Sequence, residues 1–418
     1  MKKLILTAAA CAAIVANALT VTDVTARQRW PWNNLVDVDF TINGVSGEAY
    51  YIDISATAAG GEKKLCATSF TTEPIAATGR NRIVWDLGTD YPNFKADDLS
   101  VTVTATPFSD STPLYLVVDI SGDTASAKWP VRYTPTAPVH TAGVADPCKT
   151  TELWLKRVKA KGETFTAGGG TGSGTWQYYA QHKCTLTNDF YLGIFELTQA
   201  QCRNLTGDYM SKFTNEAYRA TRPADSIDPR NIRQPYFNSS SPGEAITSGF
   251  MKTLRDRTGG LKFDLPTEWQ LTYAGQAGTG NNRYNAQLTA VRYNGNSKPA
   301  DGDANWTTGN QGDWPADYGT SYVDQYSPNP WGFYGMIGNV GEACLNRRLS
   351  GITYNNGVFE YYTDPMGDSG TQSERPQVGG SWSKDGVAAQ VACRWNLNPA
   401  NTASEWECGA RICLTIGK

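Results

Sequence analysis

From about residue 24 to residue 135, short runs alternate apolar and polar residues, and turn-forming residues break each run after a few steps. "VDVDFTI" (Val36 to Ile42) shows the pattern, and "YYIDISA", "LSVTVTATP" and "LYLVVDIS" repeat it. Between them stand "TINGVSG", "TAAGGEK" and "FSDSTP". A period of two puts one face of each strand against a core and leaves the other to solvent. Frequent breaks keep the strands short, so the expectation is an all-β sandwich of two packed sheets over residues 24–135. Asp37, Asp39 and Asp53 fall on the solvent phase of the alternation. They read as strand-surface residues, with no metal cluster implied.

The texture then changes. "PVRYTPTAPVHTAGVADP", Pro130 to Pro147, is rich in Pro, Thr and Ala and has no period. Proline fixes φ and removes a donor, so residues 136–147 are expected to form an extended linker with His140 in solvent. Residues 148–418 carry two helix signals. "GEAITSGFMKTLRDRTG" spaces its apolar residues helically and closes at Gly259. "TEWQLTYAGQAG" opens with Thr267 as a possible N-cap and Gln270 three residues on. Most of the remainder is turn and loop; Tyr284 to Trp331 is nearly all Asn, Gly, Asp, Thr, Tyr and Trp.

The chain begins "MKKLILTAAACAAIVANALTV". Two lysines, an apolar run and the small triplet Ala16-Asn17-Ala18 are the pattern of a signal peptide, residues 1–18, and imply export to the periplasm, the cell surface or the medium. The apolar run is too short to span a bilayer, so the chain is not expected to be transmembrane. The formal charge of −3 becomes about −5 when Lys2 and Lys3 leave. No basic block offers a surface for nucleic acid. Loss of Cys11 leaves Cys66, Cys148, Cys184, Cys202, Cys344, Cys393, Cys408 and Cys413. An even set in an exported chain predicts disulfides, with the connectivity open. His140 and His182 are the sole histidines, which excludes a zinc or iron site built on several imidazoles.

Several motif-like passages fail on inspection. "AGGGTGSGT" (Ala167 to Thr175) lacks the Gly-Lys-Ser/Thr ending of a phosphate loop and reads as a surface loop. "DGDANWTTGNQGD" (Asp301 to Asp313) places Gly312 where an EF-hand calcium loop needs Glu; a less regular calcium site stays open. Neither histidine lies near a strained nucleophile turn. Glu268, Glu342, Glu405 and Glu407 are scattered, and read more simply as structural or solvent-facing than as a glycosidase pair.

One ordered set of passages is specific. "GETFTAGG", "FYLGIFELTQAQC" (Phe190 to Cys202), "LPTEWQLTYAGQAG" (Leu265 to Gly278), "NPWGFYGMIGNVGEAC" (Asn329 to Cys344), "VGGSW" and the final "CGARIC" follow one another over about 260 residues. Together they resemble the sulfatase-modifying factor family, the formylglycine-generating enzyme and its relatives. The resemblance implies an α+β, loop-rich, C-type-lectin-like domain over residues 148–418. It also implies calcium held by the backbone oxygens of Gly338 and Val340 with Glu342, although the family's side-chain ligand at the position of Gly335 is missing. The alternative is that Asn339 and Glu342 only fasten the turn.

The resemblance breaks where the family's oxidases do their chemistry. Those enzymes bind copper through two cysteines shortly after Gly-Gly-Ser-Trp, thiolates being soft enough to hold Cu(I). Counted forward from Gly379, the positions fall on Lys384 and Ala389; counted back from Val391, on Ser381 and Gly386. Cys393 lies beyond both. No copper is therefore expected. The related iron enzymes of sulfoxide synthesis take their metal from a separate histidine-bearing helical domain, in whose place this chain carries the β region, so they are a poor match. A frame without that reaction but with loops rich in aromatic residues, Asn and Asp suggests a binding module for a protein or a carbohydrate. Trp382, Lys384, Arg394 and Trp395 are the candidates for its groove, with core packing the alternative for the tryptophans. An oxidase with other ligands, a hydrolase built on the scattered carboxylates and a structural envelope or matrix protein are the competing readings.

Overall fold

The computed structural model describes residues 19–29, 33–96, 98–108, 114–169, 180–213, 216–237, 246–281, 288–297, 318–349, 359–367, 374–397 and 407–417. The expected signal peptide, most of the glycine-rich 167–175 stretch and the whole of 301–313 lie outside these residues. The chain divides into two compact units, Met1–Thr112 and Pro113–Lys418. It is mostly sheet and loop, with few helices.

In the first unit, Leu35–Asn43 pairs antiparallel with both Thr20–Gln28 and Gly79–Asp86. A second sheet is built on Ala49–Ala58, which pairs antiparallel with Lys63–Cys66, Ile75–Ala77 and Ser100–Pro107. The alternation appears directly in the burial. Val36, Val38, Phe40 and Ile42 point inward from one sheet, and Tyr50, Ile52, Ile54 and Ala56 from the other. The valines, isoleucines and phenylalanine among them each contribute roughly 1.5–3 kcal/mol on leaving water. Asp39 and Asp53 lie on the outward phase as expected. Asp37 has the same phase but is covered, because Arg29 reaches it at 2.7 Å and the Arg27 and Arg82 guanidiniums lie within 3.8 Å.

The second unit is built on a six-stranded antiparallel sheet. Its order is Phe263–Asp264, Cys413–Thr415, Phe190–Gly193, Glu152–Val158, Tyr115–Asp119, Val131–Thr134. The last two strands correct the expected boundary: they precede residue 135 in the chain, yet they pair with this sheet and not with the first unit. Their alternation identifies them as strands, but the choice of partner is made by residues far away. Tyr115, Leu116, Val117 and Val118 are all buried, as befits a strand covered on both faces.

A four-stranded sheet follows the order Arg394–Leu397, Arg375–Val378, Gly341–Ala343, Cys408–Gly409, and its last pair is parallel. A three-stranded sheet joins Thr164–Ala167, His182–Thr185 and Tyr361–Thr363. The core of the unit gathers Phe190, Leu192, Trp269, Leu271, Phe333 and Val378. Among the described residues, no helix is long and apolar enough to cross a membrane.

Both expected helices are present, as Phe250–Arg257 and Glu268–Gln276. Thr267 and Gln270 close a reciprocal capping box: the Thr267 hydroxyl accepts from the Gln270 amide and the Gln270 side chain accepts from the Thr267 amide. The same box, Thr198 with Gln201, starts a third helix at Gln199–Thr206. The sequence carries the same signal there, a threonine with glutamine three residues on. Thr267→Ala removes one of the two cap bonds, and chemical denaturation of the full chain should show a loss of about 1 kcal/mol.

Candidate functional site

The Gly-Gly-Ser-Trp turn links Arg375–Val378 to the segment leading into Arg394–Leu397. Gly380 has φ of +78°, and a Cβ there would lie 2.5 Å from the Ala388 carbonyl oxygen. Only glycine fits. The Trp382 amide donates to the Asn339 carbonyl at 2.8 Å. Its ring is fully buried, edge-on to Phe213 with 5.3 Å between centroids. Trp382 therefore belongs to the core, which corrects its placement in a groove. Arg394 is also buried, 2 % exposed, and burial pulls its guanidinium down to about 9.

Lys384 and Trp395 do come together. The Lys384 ammonium stands 4.0 Å from the centre of the Trp395 ring and pairs with Glu407 Oε1. The hydroxyls of Ser381 and Ser383 both donate to Glu407 Oε2. Glu407, scattered in the sequence, is thus the anchor of a compact polar cluster, one-sidedly roofed by an indole. Ala389 lies elsewhere, in an apolar cluster with Val291, Ile337 and Val391. The two positions reached by counting forward from Gly379 are thus an ion-paired ammonium and a packed methyl group.

The loop carrying Gly338, Asn339 and Val340 is held by a carboxyl group that the sequence reading left unassigned. Glu196 is completely buried. Its Oε2 accepts from Asn339 Nδ2 at 2.6 Å, and its Oε1 from the Val340 amide at 3.2 Å. Burial, together with the neighbouring Glu342 carboxylate, pushes it up to about 8. Glu342, 1 % exposed, accepts on Oε1 from Arg411 Nε at 2.7 Å and from Nη2 at 2.6 Å. Calcium expected on Glu342 with the Gly338 and Val340 carbonyls would meet this guanidinium. A hard dication requires several unshared oxygens. Among the described residues no group of three or more His, Cys, Asp or Glu side chains converges as a metal site. The residues present do not fit calcium.

The histidines are both structural. His182 is buried, with Nδ1 2.9 Å from the Ala180 carbonyl, and Nε2 accepts from Trp269 Nε1 at 3.0 Å. The Trp269 donor needs an unprotonated Nε2, and burial holds the ring's affinity for a proton below the usual histidine value, against the opposing pull of the Ala180 carbonyl. His140 is not solvated, which corrects the linker reading. Its Nδ1 lies 3.1 Å from Asp324 Oδ2, and its Nε2 lies 3.3 Å from the Tyr334 hydroxyl. Asp324 also takes the buried Lys149 ammonium at 2.6 Å, so residues around 140 are fastened to the second unit.

Among the described residues no disulfide is formed, where the even cysteine count predicted some. Seven of the eight described cysteines are buried; there the thiol acts as a small apolar group. Burial pushes Cys148 up to about 12 and raises Cys184, Cys202 and Cys344 as well. Such thiols are poor nucleophiles and poor ligands.

These features define a β-rich, loop-rich domain whose Gly-Asn-Val and Gly-Gly-Ser-Trp turns are joined by the Trp382 amide on the Asn339 carbonyl. Residues 152–416 match the family described as "Sulfatase-modifying factor enzyme 1-like domain", and the chain belongs to that family. A curated protein of Paenibacillus barcinonensis, "Chaperone protein LppX", is 26 % identical over 238 residues, 51 % of this chain and 76 % of its own length. Among solved structures, Treponema denticola variable protein 1 is similar at 19 % identity with a TM-score of 0.44, covering 66 % of this chain and 99 % of its own. PvdO from Pseudomonas aeruginosa is similar at 17 % identity with a TM-score of 0.43, covering 66 % of this chain and 100 % of its own.

Glu268 provides a test of the buried charges. Its Oε1 accepts from Asn346 Nδ2 at 2.9 Å. The Arg394 Nε stands off at 3.9 Å from Oε2, too far for a hydrogen bond, and burial pushes the carboxyl up to about 8 from 4.5. The folded protein therefore keeps a proton that the unfolded chain releases. The stability it lends is full below about pH 4.5 and is lost as pH rises through about 8. Urea denaturation across that range should show a flatter decline for Glu268→Gln than for the parent. The decline should not vanish, because Glu196 acts with the same sign.

Proposed function

We propose that this chain is an exported, non-catalytic member of its family. In this reading an all-β sandwich precedes a C-type-lectin-like domain, which binds a protein partner. The observation that carries the reading is the pair of positions beyond Gly-Gly-Ser-Trp. Lys384 is engaged by Glu407 under the Trp395 ring, and Ala389 is packed among Val291, Ile337 and Val391. An ammonium cannot replace a thiolate as a soft ligand for Cu(I), and an alanine offers no donor at all. The eight described cysteines do not supply the missing pair at these positions.

A half-buried tryptophan stacked on a lysine beside two serines is a mixture suited to recognition. The indole gives contact area at low entropic cost, and the polar groups around it give direction. The relative from Paenibacillus barcinonensis is named a chaperone, and a chaperone works by holding another polypeptide. That name favours a protein over a carbohydrate as the ligand. A structural envelope role would need no such surface.

The first experiment titrates the purified mature protein with Cu(I) under reducing conditions and follows oxygen uptake with a cysteine-containing peptide. Neither tight stoichiometric copper nor turnover is expected; both together would overturn the reading. Peptide and glycan arrays then identify the ligand class. Trp395→Ala should weaken binding to an array-selected peptide by about tenfold or more, the scale of an interface tryptophan, with little change in melting temperature. Unchanged affinity would remove Trp395 from the site, and selective glycan binding would replace the protein partner.

A further inference from the structure

We infer that Arg411 is a built-in cation, and that its guanidinium occupies the charge position at Glu342 where the resemblance would place calcium. Arg411 is completely buried and is surrounded by oxygen. Nε and Nη2 converge on Glu342 Oε1 at 2.7 and 2.6 Å, Nη1 donates to the Gly193 carbonyl at 2.9 Å, and Nη2 donates to the Tyr334 carbonyl at 2.7 Å. One carboxylate and two main-chain carbonyls are the sort of oxygen set that a hard cation also takes. Here a side chain takes it, with directed donors that a spherical ion lacks.

The second position is filled as well. Gly335 has φ of +61°, and a Cβ built there would lie 2.8 Å from both Cδ and Oε2 of Glu196. The side-chain ligand missing at this position is thus not replaced by empty space. The Glu196 carboxyl group occupies it and turns its oxygens to Asn339 and Val340. Glu342 Oε1 and both oxygens of Glu196 are thus committed to protein donors. The consequence is a loop whose folding needs no divalent ion, whatever the calcium level of the compartment.

Calorimetric titration of the full mature chain with calcium chloride, beside melting curves in calcium and in EGTA, tests this directly. No saturable heat and superimposable melting curves are expected. Stoichiometric calcium binding, or a melting temperature that falls in EGTA, would overturn the inference. Two variants separate an ion pair from mere packing. Arg411→Ala should melt well below the parent and regain part of the loss in millimolar calcium, since it bares Glu342 and two carbonyls. Should that variant fail to fold, Glu342→Leu combined with Arg411→Met must fold and melt closer to the parent than Glu342→Leu alone. A double variant no better than Glu342→Leu would refute the pairing. Copper and ligand binding do not enter these measurements, so they stand or fall apart from the proposed function.

Discussion

The second unit depends on one buried guanidinium. Arg411 lies between Cys408–Gly409 and Cys413–Thr415, strands of two different sheets. Its donors reach Gly193, the last residue of a strand in the six-stranded sheet, and Glu342, in the middle of a strand in the four-stranded sheet. A third contact, to the Tyr334 carbonyl, fixes the chain just before the Gly-Asn-Val turn. Such a group stabilises only while every partner is in place. Removing one partner of a buried pair typically costs about 3–5 kcal/mol, whereas replacing the pair by packed apolar groups can be neutral. The pair therefore contributes arrangement more than net energy: it admits one relation between the two sheets and penalises others.

The chemistry of the Gly-Gly-Ser-Trp turn follows from that frame. Gly379 and Gly380 bring the backbone close to Met336 and Ala388, and Trp382 inserts against Phe213. These contacts would position any two side chains that follow. In this chain the first is a lysine that a neighbouring glutamate and indole hold, and the second is an alanine in an apolar nest. The turn stands as architecture around an ion-paired lysine and a packed alanine. Lys384 and Trp395 hold one another in place, so under the proposed binding role a ligand would meet a surface already ordered and bear less of the entropic cost of fixing it.

What could be read in the sequence was local. Period-two alternation located Leu35–Asn43, Ala49–Ala58 and Ser100–Pro107 in the first unit, and Thr267 with Gln270 located a helix start to the residue. The motif order named the family correctly because each motif is itself a tight turn or cap with few permitted sequences. Partner choice was not local. "LYLVVDIS" reads as a strand in either unit, and only pairing with Glu152–Val158 assigns it to the second. Even cysteine numbers suggested staples, but Cys184, Cys344 and Cys413 sit in the core as small apolar side chains, and composition cannot tell a staple from a core residue. His140, in a stretch rich in proline and threonine, gave no hint of Asp324, which lies 184 residues further on.

The calcium and copper expectations rest on different kinds of argument. The copper argument rested on side-chain identity: a lysine and an alanine stand where thiolates are needed, and no fold can change their softness. The calcium argument rested on residues that could serve two purposes. A glutamate and a set of carbonyls suit an ion or a guanidinium equally, and the choice depends on what else the fold delivers to the same point. Arg411 lies in "CGARIC", close to the C-terminal end, and only the parallel pairing of Gly341–Ala343 with Cys408–Gly409 brings its side chain to Glu342. Hence Glu342 was visible in the sequence as a candidate ligand, and its pairing with a guanidinium that also reaches the Gly193 and Tyr334 carbonyls was decided by topology.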